Sequence, residues 1–540
     1  MEPIPHPESM MTYHKSQQHL GLNGLAKRRG SAVVLGAAAA VAVLSGCSVA
    51  NSGAAAGPAN AAPDTVRIVL PEEPPTLDPC MNSQSSTGRV TRANITEGLT
   101  FRDPSTSEVE PMLATDWEQT GKTTWTFNLR EGVQFQDGSP FDAKAVASSI
   151  ERVLKPALSC DVAAQFFGEI SLTPTVVDDH TIEIETSSPD PILPLRISYI
   201  GIVPASTDPE ERVREVVGTG PYKVGTWDAG TRLTLERFDG YWGDKPDFAS
   251  VEYSWRTEAD IRSAMVETGE ADVATTLTPQ EKDKKNAVVF ETNETAYLRL
   301  DPTKAPMDDM RVRQAIDYAL DRDGLLASVF GGVGTTASQI VPDSVIGHNS
   351  NIAPTSYDMA KAQELVRAAK ADGVPVENEI TLIGRNNIYP NATQAMEVVQ
   401  AALTEAGLNV KIEMLDVNAW LEYALRPFPE GAGPTILQGQ HGNQAGDASF
   451  TMVNNYGSKG GQSTYGTAEL DSLIKEAESA SGEERQAAFE KALAYQHDQI
   501  VRDAVLVRVG GVIAVSDRVA YEPDSATYDE MRVADMKPKG

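Results

Sequence analysis

At 540 residues the chain exceeds what one hydrophobic core usually serves, so two or three domains are expected. With 41% hydrophobic and 23% charged residues, the composition is that of a folded globular protein and excludes wholesale disorder. A formal net charge of −30 argues against a nucleic-acid partner, which needs a basic face, and against anionic lipid surfaces except through a tether.

The first segment in chain order reads as a targeting signal. Lys27, Arg28 and Arg29 form a basic cluster, and an apolar, small-residue run follows from Ala32 to Leu44. That run is well short of the roughly 20 residues a membrane-spanning helix needs, and it has the length of a signal-peptide core. The alternative, a buried Ala-rich helix, sits poorly behind a basic cluster at the extreme N-terminus. Leu44-Ser45-Gly46-Cys47 resembles the lipobox of bacterial lipoproteins. The resemblance implies removal of 1–46, acylation of Cys47, and a chain exported and lipid-anchored on the extracytoplasmic face of the cell membrane. Several acyl chains at ~0.8 kcal/mol per buried CH₂ would hold it there. The Arg28-Arg29 pair also suggests a twin-arginine signal, but its flanks fit poorly. The long stretch before Lys27 makes Met10 or Met11 a candidate start. Residues 1–46 carry a net +2, so their removal leaves −32. Residues 47–63, mostly Ala, Gly, Asn, Ser and Pro, read as a flexible tether.

Two cysteines remain, Cys80 and Cys160. Export favours a disulfide between them, and closing a loop of about 80 residues would stabilise by roughly 4–5 kcal/mol in the chain-entropy model. Two unpaired buried thiols are the alternative.

Residues 65–70 alternate apolar and polar and predict a strand, ended by the proline-rich run Pro71 to Pro79. Residues 124–135 predict a hairpin: Trp125, Phe127 and Leu129 share a face, Glu131-Gly132 turns, and Val133 and Phe135 return. Asp142 is placed to cap a helix carrying Val146, Ile150 and Val153. Further helices are expected from Asp308 or Asp309, after Asp358 to near Gly373, and from Asn391 to Gly407. Strands at 380–383 and at Val410, Ile412 and Met414 flank the last helix. That is a βαβ unit, so a parallel or mixed sheet is expected.

Seven short blocks then stand in a fixed order: Thr76-Leu77-Asp78-Pro79, Thr96-Glu97-Gly98-Leu99-Thr100, Pro111 to Trp117, Trp125 to Arg152, Gly218 to Tyr222, Tyr241-Trp242-Gly243, and Arg311 to Ile316. The series resembles extracellular solute-binding protein family 5, the dipeptide, oligopeptide and nickel group. The resemblance implies an α/β fold of the two-lobe periplasmic-binding-protein type II, with an extra domain inserted in lobe I. Lobe I would comprise 64–107, 205–300 and 505–540, the extra domain 108–204, and lobe II 301–504. It also implies a monomer without cofactor that binds a peptide or other small-molecule ligand by hinge closure and meets ABC permease subunits, with the membrane reached only through the lipid.

In peptide-binding relatives a late segment of lobe II supplies a carboxylate to the ligand's amino terminus. The comparable stretch runs from Gly439 to Asp447, with Gln440 and His441 inside it and Asn443 at the carboxylate's position. Asn is neutral, so Asp447 takes the role or the ligand lacks a free amine there. Trp420 and Tyr456 flank the stretch as apolar walls or as core. Arg385, Asn387 and Tyr389 follow a strand's C-terminal end, where open α/β sheets place ligands, and Arg385 suits a carboxylate. Asn82, Ser83 and Gln84 follow the proline-rich turn and could present backbone to a peptide.

The rival ligands are a metal chelate, with His441 as the one histidine in the candidate pocket, an oligosaccharide, or another metabolite. A free-ion site of several His or Cys is not expected, because His180, His348, His441 and His497 lack paired spacing. A hydrolase is the rival class. The run Gly461 to Gly466 comes close to a nucleophile elbow but places its second glycine one residue late.

Overall fold

The computed structural model describes residues 64–168 and 170–539. The signal segment 1–46, the tether 47–63 and Cys47 lie outside the described residues.

The alternating segment Thr65–Leu70 forms its strand and enters an 11-stranded mixed sheet. At one end of that sheet it pairs in parallel with Ser250–Trp255, followed by Arg232–Arg237 and Tyr222–Asp228. At the other end Asn409–Leu415, Glu379–Arg385 and Thr435–His441 run parallel to one another. Two long strands, Ala287–Leu300 and Asp503–Val515, join the two ends. Ala287 to Glu291 pair with Gly510 to Ala514, and Thr295 to Arg299 pair with Asp503 to Arg508. Between them Thr292, Asn293 and Glu294 fall in a register break, where an irregular strand can re-aim a side chain.

Several hydrophobic cores sit on this frame. Val66, Ile68, Leu233, Val251 and Tyr253 pack beside the first half of the sheet. Helices Met310–Tyr318, Met359–Ala371 and Ala392–Glu405 bury Val312, Ile316, Val366, Val399 and Leu403 against the second half. The expected caps are present: Asp142, Asp309 and Asp358 each accept from a first-turn N–H. A further core is built mostly from residues 80–202, joined by Ala445, where a four-stranded antiparallel sheet carries the helix Ala143–Val153.

One expectation is corrected here. Thr124–Leu129 is a strand, but the segment after Gly132 does not return beside it. Both its edges are taken, by Ala114–Gln119 and Thr181–Thr186. Val133 and Phe135 are buried from a loop instead. Gln136 fixes that loop by donating to the carbonyls of Ile95, Gly220 and Tyr222.

The sequence blocks meet one another in space. The Glu97 carboxylate accepts from Thr219 Oγ1 at 2.8 Å, Tyr241 Oη at 2.9 Å and Trp242 Nε1 at 2.9 Å. One buried acid thereby ties three blocks together. Gly218 must be glycine because a Cβ there would stand 2.0 Å from the Ile95 carbonyl oxygen. Asp78 receives a bidentate Arg152 at 2.8 and 2.6 Å, and also the Val213 N–H at 2.7 Å. The Cys80–Cys160 disulfide is formed, and it fastens the segment after Pro79 to the 80–202 core.

Candidate functional site

The strand Thr435–His441 lies between Glu379–Arg385 and Ala287–Leu300, so its C-terminal end faces the break between the two halves of the sheet. Most of the polar groups of the 439–447 stretch are spent on holding the stretch itself. Asn443 takes a positive φ of 45°. Its amide donates to the carbonyls of Asn293 and Ile340, and its Oδ1 accepts from Thr451 Oγ1. Asp447 caps the helix Ala448–Thr451 and takes both nitrogens of a buried Arg485 at 2.7 Å. That pairing holds its carboxyl below the ordinary carboxylate range despite burial. Neither residue presents a free polar group, which corrects the reading of either as a ligand contact.

His441 is corrected for the same reason. Its Nε2 bonds to Thr451 Oγ1 at 2.8 Å, and burial pushes its pKa down to about 4. Tyr456 is fully enclosed core, with the Arg502 guanidinium over its ring. Tyr389 likewise packs into the core against Phe330. Ser463, in the run that approaches a nucleophile elbow, is buried and its hydroxyl is directed to the Tyr465 carbonyl.

The remaining candidates keep free groups. Arg385 ends its strand half-buried, stacked over Trp420 at 5.4 Å from the ring centroid. Trp420 is fixed by an Nε1 bond to the Gln438 carbonyl. Among the described residues the Arg385 guanidinium has no acceptor and no carboxylate partner, and burial alone lowers its pKa. Asn387 is exposed in a left-handed turn just beyond. Asn82 is buried with its Oδ1 unpartnered, Ser83 is half-buried and Gln84 is exposed. Gln440 donates to Glu294 Oε2 at 2.7 Å.

Glu294 and Asp529 were not anticipated from the sequence. Glu294 sits in the register break, and burial together with the charge of Asp529 raises its pKa to about 7. Asp529, from the C-terminal segment, accepts from Ser85 Oγ at 2.7 Å and is also raised by burial. An acid inside an otherwise enclosed strand was the one available signal for Glu294. Nothing in the local pattern marks Asp529.

Residues of the 80–202 core also touch the far half across this gap. Tyr199 Oη donates to the Gln444 carbonyl at 2.7 Å and Ser107 Oγ to the Ser344 carbonyl at 2.7 Å. Gly446, at φ 69°, admits Arg102 so closely that a Cβ would stand 1.9 Å from its Nε.

A sheet in two halves joined by two strands, with charged groups between them, is the arrangement of a solute-binding protein, and the comparisons agree. Residues 108–463 match the bacterial extracellular solute-binding proteins, family 5 Middle. The chain is 28% identical over 379 residues to the dipeptide-binding protein of Escherichia coli, covering 64% of this chain and 70% of that one. It is 29% identical over 380 residues to the glutathione-binding protein GsiB of Salmonella paratyphi A, covering 68% and 72%. The ABC transporter-associated periplasmic binding protein DppA of Helicobacter pylori, in complex with the peptide STSA, superposes with a TM-score of 0.73 at 22% identity, covering 88% of this chain and 98% of that one.

The chain belongs to the bacterial extracellular solute-binding proteins, family 5. It is a solute-binding protein, not an enzyme, with the two-lobe fold of the periplasmic binding proteins.

Proposed function

We propose that the protein captures short peptides or peptide-like solutes between its lobes, tethered outside the membrane through an acylated Cys47, and presents them to permease subunits. Lobe I in this reading comprises 64–107, 205–300 and 505–540, with the extra domain at 108–204 and lobe II at 301–504. The two joining strands are its hinge.

The observation that carries the reading is Arg385. A half-buried guanidinium with no acceptor among the described residues, braced on Trp420 at the end of a parallel strand, suits a carboxylate. Relatives named for a dipeptide and for glutathione, and a neighbour holding the peptide STSA, support the same ligand class. The committed groups of His441 argue against a chelate held by that side chain.

Native mass spectrometry of the purified protein, followed by mass analysis of what it releases, tests this. A set of masses fitting short peptides, lost in Arg385→Gln, is the expected result. A ligand without a carboxylate would overturn it.

A further inference from the structure

With Asn443 and Asp447 spent on structure, a peptide's ammonium has no receptor at the position where relatives place one. The charge needed stands elsewhere in the gap. Glu294 Oε2 accepts from Gln440, while among the described residues Oε1 has no donor and the carboxyl has no cation within ion-pair reach. Asp529 faces it from the C-terminal segment, raised by burial and eased by Ser85, Arg89, Gln444 and Arg92. Arg89 is itself spent on the Tyr528 carbonyl and Thr275 Oγ1. Both acids are half-buried. Acceptors outnumber donors on the adjoining segment too. Asn82, three residues before Ser85, is 2% exposed and its Oδ1 has no partner.

Among the described residues a carboxyl without a cation and a guanidinium without an acceptor thus stand at the same end of the sheet. Register places Gly439 opposite Tyr297, three residues along from Glu294, and Arg385 one strand further out. At ~4.8 Å between strands and ~3.3 Å per residue, the two Cα atoms stand roughly 14 Å apart at the same end of the sheet.

We infer that Glu294, with Asp529, receives the cationic amine of the ligand, in place of a carboxylate at position 443. This rests on the peptide reading of Arg385. Glu294 lies in the strand pair proposed as the hinge and Asp529 in the last segment of lobe I, so one ammonium is shared by two acids from distant parts of the chain. The groups facing Glu294 are Asp529, Tyr528 and the neutral Gln440, so proton competition at Glu294 weakens capture of an amine as pH falls below about 7.

The test uses two probes, a short-peptide pool from a casein digest and the same pool acetylated at its amines. Thermal stabilisation and titration are read on wild type, Glu294→Gln, Asp529→Asn and Arg385→Gln. Wild type is expected to prefer the free-amine pool by at least about tenfold, the scale of one charge-assisted hydrogen bond. Glu294→Gln should lose that preference while keeping the wild-type circular dichroism, Asp529→Asn should reduce it, and Arg385→Gln should weaken both pools alike. Equal binding of the two pools by wild type, or an undiminished preference in Glu294→Gln, would overturn the inference. If neither pool binds, the peptide reading falls separately. The ligand recovered by mass spectrometry then decides: one lacking a cationic nitrogen overturns the inference, and one whose amine is needed for binding to wild type but not to Glu294→Gln upholds it.

Discussion

Side chains of similar chemistry divide here into those that hold the fold and those left free, and the partners decide which. Asp447 and Glu294 are both acids near the gap, but Asp447 has a bidentate Arg485 that is 4% exposed and Glu294 has no cation within ion-pair reach among the described residues. Replacing Asp447 with Asn strands the Arg485 charge, and the expected cost is about 3–5 kcal/mol in chemical denaturation, with little change in the preference between free and acetylated peptides. Glu294 should behave in the opposite way. Its pKa is raised to about 7, so the folded state binds a proton that the unfolded chain has released, and its contribution is present at low pH and lost as pH rises from about 4.5 to 7. His441, lowered to about 4, has the reverse sign: its contribution is present above pH 6.5 and lost as pH falls toward 4. The two slopes oppose each other over the shared window. In ligand-free protein, Glu294→Gln should therefore gain stability relative to wild type as pH rises from 4.5 to 7. A flat difference across a denaturation series at those pH values would show that Glu294 is not buried against a like charge.

At the scale of elements, the sequence was informative wherever a local rule operated. Asp142, Asp309 and Asp358 cap where helical spacing begins, and the strand–helix–strand spacing around Asn391 yields the parallel pair Glu379–Arg385 and Asn409–Leu415. The hairpin at 124–135 was misread because alternation shows a face and not a partner, and Thr181–Thr186 takes the edge from far along the chain. The site was legible only in part for the same reason. Arg385 follows from its place after a strand, but the commitments of Asn443, Asp447 and His441 arise from Arg485 and Thr451, at distances in sequence that no pattern encodes. The Cys80–Cys160 bond links the segment carrying Asn82 and Ser85 to the 80–202 core. Cys80→Ala with Cys160→Ala should lower stability by up to about 4–5 kcal/mol. It should also weaken amine-dependent peptide binding, because Ser85 positions Asp529. Loss of stability in denaturant with affinity unchanged would mean that the bridge supports the extra domain alone.

For the molecule as a whole, the proposed hinge at the joining strands makes the contacts across the gap the ones that set the balance of open and closed states. Tyr199 to Gln444 and Ser107 to Ser344 are neutral bonds to backbone carbonyls, each worth about 0.5–1.5 kcal/mol net. Phe450 adds an edge-on contact with Phe166 and lies under Arg196. Contacts of that size leave a closed state within reach of the open one, and a ligand can shift the balance only by binding the closed state more tightly. Ligand at a hundredfold excess over its Kd should stabilise the protein by about 2.7 kcal/mol, a rise of a few degrees in Tm for a chain this long. Removing the two bonds in Tyr199→Phe with Ser107→Ala should lower affinity by about tenfold without touching the charged groups. Small-angle scattering reads the cause directly. The radius of gyration should fall when the peptide pool is added, and the double variant should need more peptide for the same fall. A radius that is already at its smallest without ligand, and unchanged by the variant, would mean that the lobes rest closed and that capture depends on transient opening instead.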